Sequence, residues 1–163
     1  MHRTGARGFS LLEVLFAATI LTVALGAIAQ LFAIAARSNA GARTTTMAAL
    51  LAVEKMERLR SLAWTIDAAG LAVSDTTSDG TGLTPSPPGA LAHNAPGYCD
   101  FLDVRGAPLA AGPDPPAGAA FTRRWSIEPL PTNPNNTLVL QVAVARRGRD
   151  EVRLVSVKTR KVS

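Results

Sequence analysis

The chain has 163 residues, 47% of them hydrophobic, and a formal net charge of +5. That length leaves room for one modest domain beside a membrane segment. The single cysteine, Cys99, excludes an intrachain disulfide, and the basic residues are dispersed, which marks a solubilising surface and gives no support to a nucleic-acid footprint.

Residues 1–8 (MHRTGARG) form a basic leader too short to fold. Phe9, Ser10, Leu11, Leu12 and Glu13 follow, and from Val14 to Ala36 there is neither a charge nor a proline. A helix of that length, at ~1.5 Å per residue, crosses a bilayer core of ~30 Å. Thr19, Thr22 and Gln30 are its few polar residues. A secretory signal peptide has a shorter apolar core and a clear cleavage site. The end of this run, Ala33 to Ala36, is a poor cleavage site, so an uncleaved anchor fits better. Neither accounts for Glu13. A carboxylate at the centre of a span costs on the order of 2.5–3.5 kcal/mol, and less near an end. In its plainest role Glu13 sits in the first turn and complements the helix dipole.

The order of basic leader, Gly8, Phe9, Glu13 and unbroken apolar run is the specific feature. GFSLLEVLFAATIL resembles the N-terminus of type IV prepilins and of type II secretion pseudopilins. The resemblance implies that a prepilin peptidase/methyltransferase cuts between Gly8 and Phe9 and N-methylates Phe9. It also implies that Glu13 pairs with the terminal amine of a neighbouring subunit. Carboxylate and ammonium, each costly away from water, offset one another when paired, which favours one axial register between subunits. The implied partners are that peptidase, other pilin or pseudopilin subunits through the N-terminal helix, and the inner membrane before assembly. The implied location is a single-pass inner-membrane protein with a periplasmic C-terminal domain, later part of a periplasmic or cell-surface filament.

The expected organisation is a leader at 1–8, a transmembrane and assembly helix at 9–36, an amphipathic continuation at 37–63, and a globular head at 64–163. SNAGARTTT (38–46) is the weak stretch of the helix, because Gly41 and three threonines lower its propensity. From Met47 onward Ala49, Ala52, Met56, Leu59 and Ala63 draw one apolar stripe, widened by Val53. Glu54 and Arg58 form an i,i+4 pair worth roughly 0.2–0.5 kcal/mol. The whole helix, Phe9 to Leu62, would be roughly 80 Å long. With no proline in it, any melting during assembly would start at Gly26 or around Gly41.

Residues 65–120 hold most of the prolines, glycines and aspartates and read as turns and loops. Tyr98 to Leu102 is a candidate short strand, with Cys99 as a small core residue. Asp67, Asp75, Asp79, Asp100 and Asp114 lack the spacing of a calcium loop, and His93 has no metal-binding companion. The last forty residues are the clearest β region. Phe121, Trp125 and Ile127 alternate with Thr122, Arg124, Ser126 and Glu128. Leu138, Leu140, Val142 and Val144 share one face of a second strand. A turn around Gly148, at 146–151, leads to an edge strand from Val152 to Thr159, where Arg153 and Lys158 discourage stray pairing. The fold class is therefore α+β, a long N-terminal helix packed against a small antiparallel sheet. This order resembles the pilin fold, and FTRRWSIEPLPTNPNNTLVLQVAV resembles a PilV-type minor pilin more than a major pilin.

No nucleophile elbow, Walker-type loop, HExxH or CxxC occurs, and Ser10 and Ser126 lack an evident His partner. The sequence therefore reads as a structural subunit, with no catalytic residue, metal or cofactor expected. Two other readings remain at this point. One is a bitopic inner-membrane protein with a small periplasmic binding domain. The other is a DNA-uptake (competence) pilin, which rests only on positive charge such as Arg146, Arg147 and Arg149.

Overall fold

The computed structural model describes residues 9–109, 113–146 and 148–162. The leader 1–8, with Gly8, and Arg147 of the expected turn lie outside the described residues. One helix, α1 (Leu11–Ser61), runs unbroken through the weak stretch at 38–46. The chain divides into two compact units at Ala42 and Arg43.

In the first unit α1 is apolar on every side from Val14 to Ala36, and no side chain from Phe9 to Arg43 is buried. Its polar groups look after themselves: the hydroxyls of Thr19 and Thr22 donate to the carbonyls of Leu15 and Ala18, both at 2.8 Å. Such back-bonding satisfies donors that a bilayer core would leave without water.

The second unit holds the rest of α1 and two sheets. Strands β1 (Trp64–Ile66), β2 (Ala72–Ser74), β3 (Cys99–Leu102), β4 (Phe121–Pro129), β5 (Thr137–Arg146), β6 (Arg149–Thr159) and β7 (Lys161–Val162) follow in chain order. The larger sheet is ordered β3-β4-β5-β6 and is antiparallel throughout. The smaller, ordered β2-β1-β7, has β7 parallel to β1. This second sheet was not evident in the sequence: its strands are two or three residues long, too short to display a period.

Alternation along β4 and β5 points Trp125, Ile127, Leu138, Leu140, Val142 and Val144 at α1, where Ala48, Leu51, Ala52, Met56 and Leu59 meet them in one buried cluster. The architecture is the expected α+β, pilin-like one. The helix stripe differs in detail. Val53 is exposed and Ala63 lies beyond the helix, while Leu51 and the aliphatic stem of Lys55 join the buried face. The opposite face of the sheet is covered in part: Cys99, Phe101, Ser126, Ala143 and Ala145 are buried on it. Loop residue Asn94 ties that cover down, accepting from Arg124 Nε at 2.9 Å and donating to the Pro113 carbonyl at 2.7 Å.

The candidate processing and assembly segment

The helix begins with a local code. The first intrahelical bond runs from Val14 N–H to the Ser10 carbonyl at 3.2 Å, and the Ser10 hydroxyl accepts from Glu13 N–H, also at 3.2 Å. Ser10 is thus the N-cap and Glu13 the third residue of the first turn, the Ser-x-x-Glu spacing of a capping box. The role of Ser10 was missed when it was considered only as a nucleophile; the spacing Ser10 to Glu13 was its signal. The same geometry places the Glu13 carboxylate at the positive end of the helix dipole, exposed on the surface.

Phe9 stands just before the cap and is 83% exposed. Leu11, Leu12, Val14, Leu15 and Phe16 surround Glu13 and are all exposed. A single carboxylate therefore lies within an otherwise apolar surface. By length and composition α1 is long and apolar enough to cross a membrane. Gly8, the other candidate residue, falls outside the described residues.

In the described part of the head, Arg123 and Cys99 have structural settings. Burial opposes the Arg123 charge, but Asp100 and then Glu54 outweigh it and hold the guanidinium above its ordinary range. Burial pushes the Cys99 thiol up, away from a reactive thiolate. His93 is exposed in a loop, and no group of three or more His, Cys, Asp or Glu residues among the described residues has metal-binding geometry.

Residues 3–29 match the family model described as the prokaryotic N-terminal methylation motif. No curated protein and no solved structure matches the chain. The matched segment ends inside the apolar part of α1, so motif and helix together fit membrane anchoring. The motif is that of type IV pilin-like substrates of prepilin peptidase, structural subunits that assemble with other pilins.

Proposed function

We propose that this chain is a minor pilin or pseudopilin, a structural subunit that joins or primes a type IV pilus or a type II secretion pseudopilus. Prepilin peptidase removes residues 1–8, Phe9 becomes the methylated N-terminus, and Glu13 receives the terminal amine of a neighbouring subunit. Residues 9–36 span the inner membrane before assembly and pack among other subunits' helices afterwards. The continuation to residue 63 carries the head at 64–163, which faces the periplasm and then the filament surface. The PilV-like pattern of β4 and β5 favours the minor over the major type.

One observation carries this reading. The methylation motif at residues 3–29 opens a helix with no buried side chain up to Arg43. Such a helix leaves its whole circumference for lipid or for other helices. Mass spectrometry of the mature protein tests the processing: a methylated Phe9 terminus is expected, and a terminus at Met1 or near Ala36 would overturn the proposal. Glu13→Val should leave cleavage intact and impair incorporation into the filament. Full incorporation of that variant would favour a bitopic membrane protein with a binding head.

A further inference from the structure

A cleft of about 400 Å³ lies beside β6, between the end of α1 and the smaller sheet. Arg60, Trp64 and Lys161 form part of its wall, and β6 contributes three successive residues, Val157, Lys158 and Thr159. Successive residues of a strand point to opposite faces, so a wall that takes all three is the edge of the strand rather than either face. β6 is the outermost strand of its sheet, and no other strand pairs with this edge among the described residues.

Cationic edge residues commonly block pairing, but Lys158 is placed otherwise. Its ammonium turns under the sheet and donates to the Arg60 carbonyl, where it caps the C-terminal end of α1. The cleft that results is lined by Arg60, Lys158 and Lys161 with no carboxylate among its lining residues. Burial, then Lys161, then Arg60 hold the Lys158 amine below its ordinary value, so like charges are gathered there, and the carboxylate that meets Arg60, Glu57 at 3.1 Å, does not line the cleft. On the other face of β6, Val155 and Val157 are 62% and 58% exposed, and Val157 stands opposite Val139 in register.

We propose that this cleft receives an extended acidic segment of a partner protein, which adds to the open edge of β6 as a further strand. Main-chain hydrogen bonds supply affinity in such strand addition, and alternate side chains supply selection. Here alternation sets carboxylates on the helix side, toward Arg60, Lys158 and Lys161, and apolar side chains on the other, beside Val155 and Val157. The inference does not depend on how the N-terminus is processed.

The test uses the full chain in neutral detergent and two synthetic octapeptides, one alternating glutamate and valine, the other lysine and valine. The glutamate peptide should bind saturably and slow amide exchange in β6 from Val155 to Thr159 at least tenfold. The double variant Arg60→Glu, Lys161→Glu alters two exposed side chains and should lose that binding at least tenfold. Lys161→Gln alone should weaken it by a smaller factor, which keeps the test readable if the double variant folds poorly. Equal binding of the lysine peptide, or protection at a strand other than β6, would overturn the proposal. So would inorganic phosphate shifting the same signals where the peptide does not, which would make the cleft a small-anion site. Concentration-dependent protection of β6 without peptide would make the occupant a second copy and overturn it too.

Discussion

Arg123 donates through Nε and Nη2 to the two carboxylate oxygens of Asp100, at 3.0 and 2.7 Å. Its Nη1 donates to the Leu51 carbonyl at 3.0 Å and reaches Glu54 at 3.4 Å. One guanidinium, with its side chain only 4% exposed, therefore ties β3 and β4 to the face of α1 that covers them. Removing one member of a buried pair leaves the other charge uncompensated, which costs about 3–5 kcal/mol. Asp100 keeps 24% side-chain exposure, which puts Arg123→Met near the lower end of that range. Urea unfolding in detergent should show this loss. Arg123→Lys should recover little of it, because an ammonium cannot reproduce the two parallel bonds to Asp100.

Lys55 makes the complementary case. Its ammonium lies 3.1 Å from Asp79 and 3.7 Å from the centroid of the Trp125 ring. Asp79 also has a positive φ of 57°, which Asn tolerates well. Asp79→Asn therefore removes the nearest counter-charge and leaves the buried ammonium the aromatic face and the more distant charge of Asp100. We expect it to cost about 2 kcal/mol, within the range for leaving a buried polar or charged group unsatisfied. Lys55→Met should fall within about 1 kcal/mol of the parent, since it removes the charge and keeps the packed stem. The reverse order of the two variants in unfolding experiments would refute this account.

These two ion pairs mark where the sequence stops being legible. The period-two pattern of Phe121, Trp125 and Ile127 places Arg123 on the buried face by arithmetic alone. A cation there has a meaning only once Asp100 and Glu54 are known to arrive from other elements. The same holds for Lys55 within the helix stripe. By contrast, the start of α1 is coded within a few residues. Ser10, Glu13 and the apolar run need no distant partner to be read, and the family match falls on that segment. β1, β2 and β7 were illegible for another reason. What holds them is Arg160, which stacks on Trp64 at 3.5 Å and donates to the Thr65 and Val73 carbonyls, a long-range arrangement no local pattern announces.

Gly82 should be among the least replaceable glycines of the head. It has a φ of +53°, and a Cβ there would stand 2.4 Å from the Asp75 carbonyl oxygen. That oxygen accepts from Leu83 N–H at 2.6 Å, so it cannot give way without loss of the bond that closes the loop. Gly82→Ala should cost more than about 2 kcal/mol, from the left-handed backbone and the clash together. Unfolding that matches the parent would show that the loop rearranges freely.

Asp75 predicts a local response to acid. Its carboxylate accepts from Thr77 and Ser78 N–H at 3.1 and 2.9 Å, and Ser78 above all holds it below the ordinary value of 3.8. A carboxyl group depressed in the folded state stabilises fully above its unfolded pKa, and that contribution is lost as pH falls through the folded one. Amide protection at Thr77 and Ser78 should therefore hold down to about pH 4 and fade below it. Asp75→Asn should show weaker protection throughout, without that acid limb. A limb that persists in the variant would assign the effect to another group.

The glycines of α1 allow the last prediction. Gly26 and Gly41 both lie in regular helix, and nothing stands within 4 Å of where a Cβ would be added at either. Alanine at such a position should stabilise the helix by roughly 0.5–1 kcal/mol, since no contact opposes it and backbone entropy favours it. Amide exchange around the substituted residue should slow by roughly two- to fivefold, the same free energy expressed as an opening equilibrium. If α1 must loosen as subunits leave the membrane for a filament, these are the points where it opens most readily. Gly41→Ala would then stabilise the isolated protein and reduce its incorporation, whereas a helix that enters the filament intact would gain the stability and assemble as before. Exchange and incorporation measured on the same variant separate those outcomes, because only a helix that must open turns added stability into a defect.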